Sequence, residues 1–204
     1  MIRVTREGGL WTAVIDRPEK ANSLTLEMLQ DLAEFAESAS AEGARALVLT
    51  GAGGVFSAGA DLEEARAGLA TSPVWERLSA AIAGFPGLSI AALNGTLAGG
   101  AFGMALACDL RLAVPEAKFF YPVMKLGFLP QPSDPGRLAA LVGSARAKLL
   151  LMGGAKIGAD EALAFGLVDR VLPADDLMDA AHALAADTRA AAPEHARAIK
   201  ELCR

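Results

Sequence analysis

The sequence predicts an α/β domain with a largely parallel sheet covered by helices. Short apolar runs of strand character recur between segments of helical periodicity, which is the pattern of ββα or βαβ units. Several of those runs are apolar throughout, as strands buried on both faces are. Of the 204 residues, 53% are hydrophobic and 21% charged, enough apolar mass for a real core and too little polarity for disorder. No repeat, low-complexity tract or linker divides the chain. Residues 1–204 therefore read as a single domain, with a core over about 1–135 and a helical region over about 136–204.

Leu10–Asp16 (LWTAVID) reads as the first buried strand, ended by Arg17-Pro18. Thr25 is placed to cap a helix whose apolar face is Leu26, Leu29, Leu32, Ala33 and Ala36. Ala44–Thr50 (ARALVLT) is a second buried strand, followed by a glycine-rich turn over Gly51–Gly54. Ser89–Asn94, Leu110–Val114 and Lys118–Val123 supply three more strands. From Gly136 the pattern turns helical, with starts at Ser144 and at Ala159-Asp160 and one strand-like interlude, Leu167–Leu172. Gly166 and Pro173 read as stops.

Composition narrows the function before any motif does. The net charge is −5 and the basic residues are scattered, which argues against a nucleic-acid partner. Cys108 and Cys203 lie far apart and outside any CxxC pair, so neither a zinc site nor a disulfide framework is expected. The N-terminus lacks the layout of a signal peptide and no apolar run is both long and free of breakers, so a cytoplasmic location and no membrane contact are expected.

Two segments are built as if backbone amides were the working groups. One is VFSAGADLEEA (Val55–Ala65), which turns tightly at Ala58-Gly59-Ala60 before an acidic helix start. The other is LAGGAFGMALA (Leu97–Ala107), in which Gly99 and Gly100 precede a helix of small residues. Amides at a helix start point outward unpaired, and glycine lets a ligand oxygen come close to them. Two such amides on one oxygen would form an oxyanion hole, while tight strand-to-helix packing explains a Gly-Gly pair equally well. A dinucleotide fingerprint does not fit, because Ala98 stands where its first glycine belongs.

Four motifs, in this order, resemble the enoyl-CoA hydratase/isomerase (crotonase) superfamily: IDRPEKANSL, LTGAGGVFSAGADL, IAALNGTLAGGAFGMALACDLRLA and IGADEALAFGLVDRVLP. The resemblance covers nearly the whole chain. It implies a ClpP/crotonase-like fold of repeated ββα units and a coenzyme A thioester ligand, with no separate cofactor and no metal. It places the thioester oxygen between the backbone amides of Ala60 and Gly100. It also lays Lys20, Ala21 and Leu24 along the CoA moiety and Ala58, Asp61 and Leu62 along the pantetheine and thioester. Thr96, Gly99, Gly103, Pro122, Val123, Leu126 and Gln131 complete the implied substrate surface. By residue type alone Lys20 reads as a solvated charge, and Asn22 and Asp109 as turn or cap formers.

The departures from the family pattern bear on mechanism. Its hydratases use two glutamates, and the matching positions here are Gly103 and Val123, neither of which can move a proton. Its isomerases often carry a carboxylate where this chain has Gln131, whose amide is no base near neutral pH. Asp134 is the nearest carboxylate in that loop, an acid/base candidate that also reads as the cap of a helix beginning at Pro135-Gly136. His182 and His195 fall late in the chain on expected surface helices, and Ser57 and Ser133 have no evident base, so a Clp-type serine protease scheme is not supported. A pocket of Gly103, Val123, Phe128 and Leu129 would be apolar and suit an apolar acyl group. Many relatives continue through further helices beyond the last residues here, which predicts a more open acyl pocket or one completed by another protomer of a homotrimer or hexamer.

Three functions follow as expectations. The first is an enzyme that stabilises a thioester enolate, of enoyl-CoA hydratase/isomerase type but without two-glutamate hydration. The second is a non-catalytic acyl-CoA-binding or carrier protein of the same fold, and the third a structural subunit of a mixed oligomer.

Overall fold

The computed structural model describes residues 1–203. Among these residues ten strands form two sheets. β1 (Ile2–Glu7), β2 (Leu10–Ile15) and β3 (Ala46–Gly51) are followed by the short β4 (Val55–Ser57). Next come β5 (Leu88–Leu93), β6 (Thr96–Ala98), β7 (Leu110–Ala113), β8 (Lys118–Phe120), β9 (Ile157–Gly158) and β10 (Arg170–Val171). The larger sheet runs β1-β2-β3-β5-β7-β10, parallel except for the β1–β2 hairpin. The smaller runs β4-β6-β8-β9, with β9 antiparallel at its edge.

The β1–β2 hairpin leads to α1 (Leu26–Ala41). Each later repeat sends a strand through the large sheet, a second short strand through the small one, and then a helix. β3–β4 leads to α2 (Leu62–Arg66) and α3 (Val74–Gly84), and β5–β6 to α4 (Phe102–Ala107). β7–β8 leads to α5 (Val123–Leu126) and α6 (Asp134–Val142). These are the ββα units that the resemblance implies. α7 (Ser144–Leu151), α8 (Ala159–Phe165), α9 (Ala174–Ala190) and α10 (Pro193–Leu202) make up the helical C-terminal region.

Thr25 caps α1 as expected, its Oγ1 accepting from the Met28 amide at 3.2 Å. The apolar face is shifted, however: Leu26 is exposed, while Met28 and Phe35 join Leu29, Leu32, Ala33 and Ala36 inside. A capping residue fixes where the helix begins, and Leu26 in the first position then points away from the sheet. Pro173 is not a stop. It precedes α9 with extended backbone and opens that helix, where a missing N–H costs nothing. The strand expected over Lys118–Val123 ends at Phe120, because Tyr121-Pro122 turns the chain into α5.

Asn22 is fully buried and organises the turn before α1. Its Oδ1 accepts from the Arg17 amide at 2.8 Å, and its Nδ2 donates to the Ala52 and Val55 carbonyls at 2.9 and 2.6 Å. Asp109 accepts from the Ser89 amide and hydroxyl, both at 2.9 Å, and from Lys200 Nζ at 2.8 Å, which fastens α10 to the start of β5. Among the described residues no helix is long and apolar enough to cross a membrane.

Candidate active site

The C-terminal ends of β4, β6 and β8 point the same way, because these three strands are parallel neighbours. Each runs directly into a turn: Ala58-Gly59-Ala60 after β4, Gly99-Gly100 after β6, and Tyr121-Pro122 after β8. A cleft of about 160 Å³ opens among the three turns, walled almost entirely by apolar side chains and backbone.

The first two turns touch through glycine. Gly59 has φ of +93°, and a Cβ there would lie 3.0 Å from the Ala98 carbonyl oxygen and 3.4 Å from the Gly100 nitrogen. Only a residue without a side chain lets the two segments meet. Gly59 O accepts from the Leu24 amide at 2.7 Å and Asp61 N donates to the Leu24 carbonyl at 2.8 Å. Both neighbours of Ala60 are thus committed to Leu24, so the Ala60 amide between them faces the other way, toward the cleft it lines. Gly100 lies in the first turn of a 3₁₀ segment that runs into α4, where amides have no partner within the helix. Trp75 of α3 backs it: its ring would be 3.2 Å from a Cβ on Gly100, and its Nε1 donates to the Leu69 carbonyl at 2.8 Å.

Of the residues expected at a substrate site, Ala58, Ala60, Leu62, Gly99, Gly100, Pro122, Val123, Leu126 and Gln131 line this cleft, together with Phe128 and Leu129. Leu24 lies buried beside Ala60, and the Ala21 carbonyl accepts from the Ala58 amide at 3.0 Å, which ties the Lys20 turn to the site. Lys20 itself is exposed. Asp61 lies off the wall. Its Oδ1 accepts from the Glu63 and Glu64 amides at the start of α2, and its Oδ2 pairs with Arg17 at 2.8 Å. That Arg17 hydrogen bond, helped by the two amides, holds the Asp61 carboxyl below its usual range. Thr96 begins β6 and is not on the wall; Gln131 is, with its Nε2 donating to the Ala70 carbonyl at 3.1 Å.

Gly103 and Asp134 do not line the cleft; they meet behind it. Asp134 is 1% exposed, and a Cβ on Gly103 would lie 2.9 Å from its Oδ1. Its Oδ2 accepts from the Tyr121 hydroxyl at 2.8 Å, while among the described residues Oδ1 has no hydrogen-bond partner. The expectation that Asp134 caps its helix is not met. Glu76 of α3 holds that helix start instead, its carboxylate accepting from the Ser133 amide at 2.9 Å and hydroxyl at 2.7 Å. Sequence alone does not single out Glu76 and Trp75, although Val74, Trp75, Leu78 and Ile82 carry the helical spacing that buries that face.

Burial pushes the Asp134 carboxyl up to about 6, with the nearby Glu76 charge adding to it, against the lowering effects of the Tyr121 hydrogen bond and Arg137. An acid with a raised folded pKa favours the fold when protonated, and that contribution fades as pH rises through the folded value. Relative to Asp134→Asn, wild type should therefore gain roughly 2 kcal/mol of stability between pH 7 and pH 4, from the rise of 3.8 to about 6, with the remainder arriving below the unfolded value. Urea unfolding of both proteins across that range checks it, and parallel pH profiles would show that Asp134 titrates normally. Burial and the Asp134 charge also push the Tyr121 hydroxyl well above its usual range.

A family model described as enoyl-CoA hydratase/isomerase matches residues 5–204. The chain belongs to the enoyl-CoA hydratase/isomerase family. It is 34% identical to the Mycobacterium leprae protein named probable enoyl-CoA hydratase echA6, over 98% of this chain and 82% of that one. It is 35% identical to the carnitinyl-CoA dehydratase of Escherichia coli K12, over 100% of this chain and 80% of that one. The solved structure of Pseudomonas aeruginosa DspI superposes with a TM-score of 0.90 at 34% identity, covering 99% of this chain and 85% of that one.

His182 and His195 are both exposed, as expected. Ser57 is buried and donates to the Asn22 carbonyl at 2.8 Å, and Ser133 donates to Glu76, so neither is paired with a histidine. Cys108 is buried and Cys203 exposed, both as free thiols.

Proposed function

We propose that this enoyl-CoA hydratase/isomerase family member binds acyl-CoA thioesters and stabilises a thioester enolate between the backbone amides of Ala60 and Gly100. One observation carries the reading. The contact at Gly59 brings the two strand-end turns that carry Ala60 and Gly100 together on the same cleft, with no side chain between them. Preorganised amides of this kind act where charge develops, each worth about 3 kcal/mol in the transition state. The apolar walls suit an apolar acyl group, and exposed Lys20 is the residue that the family resemblance lays along the CoA moiety. CoA enters as part of the substrate and no further cofactor is invoked. A homotrimer or hexamer accompanies this reading by family resemblance.

Two-glutamate hydration is not part of the proposal, since Gly103 and Val123 occupy those positions. A second reading, acyl-CoA binding without turnover, draws on the same wall: among the described residues lining it there is no carboxylate, histidine or lysine.

Mass spectrometry of saturated and enoyl-CoA thioesters incubated with the protein in D₂O separates the two. Deuterium at Cα or Cγ, or a gain of water, is the expected result. Thioesters that bind and come back unlabelled and unchanged would overturn the enolate reading and leave the binding one.

A further inference from the structure

Resting on the enolate reading above, we propose that Tyr121 is the acid–base residue of this cleft, with Asp134 behind it as the positioning residue that takes and returns its proton. Tyr121 lines the wall and is the single ionisable residue among the described ones there. Its position is over-determined. The ring stacks on buried Phe102 with centroids 5.3 Å apart, the hydroxyl donates to Asp134 Oδ2 at 2.8 Å, and the Gln131 amide donates to the phenol oxygen at 3.4 Å.

A structural tie needs only a neutral acceptor for the phenol proton. This site instead buries a carboxylate whose Oδ1 has no partner, closed in by bare Gly103. The charged groups that bear on it are Glu76 from α3 and Arg137 from its own helix, and Arg137 leaves Nη1 unpartnered. Among the described residues no cation hydrogen-bonds to Asp134, so the Tyr121 proton is the one donated to it. The proton rests on Tyr121 and already points at the carboxylate oxygen that would receive it.

The step balances without a co-reactant. The phenol oxygen takes the proton from the thioester Cα as its own proton passes to Asp134 Oδ2. The C–H electron pair becomes the enolate double bond, and the negative charge goes to the thioester oxygen at the Ala60 and Gly100 amides. Return of the proton along the same path, to Cα or to Cγ of an enoyl chain, regenerates Tyr121 and the Asp134 carboxylate. A tyrosine alone is too weak a base for this near neutral pH, whereas the coupled pair moves the proton without a free phenolate.

The test is deuterium uptake by hexanoyl-CoA and 3-hexenoyl-CoA in D₂O, with thioester binding measured separately by calorimetry. Wild-type uptake should rise as pH increases through about 6, where Asp134 ionises. Tyr121→Phe and Asp134→Asn should each slow it about 100-fold or more while still binding the thioester. Asp134→Asn keeps an acceptor for the Tyr121 hydroxyl, so a merely structural tie predicts unchanged uptake and an unchanged pH limb; the proposal predicts that limb is lost. Tyr121→Phe leaves Asp134 without its donor, and if that variant does not fold, Asp134→Asn and the wild-type profile decide. Wild-type uptake matched by the variants overturns the role of the pair and leaves the enolate reading standing. Binding with no wild-type uptake overturns both.

Discussion

Gly103→Glu is expected to destabilise the protein by about 3–5 kcal/mol, although a glutamate there is what the family resemblance implies for a hydratase. The first added carbon would already lie 2.9 Å from Asp134 Oδ1. α4 is buried along its whole length, so the helix has no free direction in which to give way. The rest of the glutamate then brings a second carboxyl against one that has no cation bonded to it, and two such groups cannot both ionise. Overpacking alone would cost about 1–3 kcal/mol, and the unpaired charge supplies the remainder. Urea denaturation of the purified variant measures the loss.

The same geometry predicts a partner for the substitution. Asp134→Gly empties the space that the introduced glutamate side chain needs, so the double variant should recover about 2–3 kcal/mol relative to the sum of the singles. Adding Val123→Glu to Gly103→Glu alone should give no hydratase, because Asp134 still holds the volume. A Gly103→Glu protein within about 1 kcal/mol of wild type would show that Asp134 moves aside easily, and that the two carboxyls do not compete.

The backbone half of the site is legible in the sequence because glycine announces it. Gly59, Gly99 and Gly100 stand at strand ends, and a residue without a side chain at such a place is a statement about close approach. The side-chain half is not legible in that way. Tyr121 and Asp134 are 13 residues apart across two turns, and Gly103 meets Asp134 from a different helix. No periodicity links these three, and the emptiness of Gly103 acquires a meaning only when Asp134 is seen to fill it. The smaller sheet is only partly legible, for a different reason: β8 falls inside the strand read at Lys118–Val123, while β4 and β6 do not stand out. β4, β6 and β8 have three residues each, shorter than the run of about four to eight residues over which alternation marks a strand. β1 escapes a reading by burial because its IRVTRE lies on an exposed edge, with the first residue half-buried and the rest exposed. Hydrogen bonding to β2 defines that strand. The central strands β3 and β5 are buried almost throughout, so their apolar runs mark them plainly.

Arg111→Met should cost about 4 kcal/mol, a loss tied to a residue that sequence periodicity treats as one polar interruption in a strand. Arg111 is 3% exposed. Its Nε donates to the Leu167 carbonyl at 2.9 Å, its Nη1 to the Cys108 carbonyl at 2.7 Å and its Nη2 to the Asp109 carbonyl at 3.2 Å. The side chain thereby joins the end of α4 to the segment that enters β10. Its ion pair with Asp169 contributes little, because that partner is 38% exposed and solvent screens it. The carbonyls decide the outcome: methionine fills similar length but donates nothing, and each buried acceptor left unpaired costs about 1–3 kcal/mol. Arg111→Lys keeps the charge at the negative end of α4 yet cannot reach all three carbonyls at once, so about half of the loss should remain. Hydrogen exchange adds a spatial check. If the guanidinium is what holds β10 against β7, the amides of Asp169 and Leu172, which donate to the Arg111 and Ala113 carbonyls, should lose protection first in Arg111→Met. Uniform loss across the large sheet would instead mean that Arg111 supports the core as a whole.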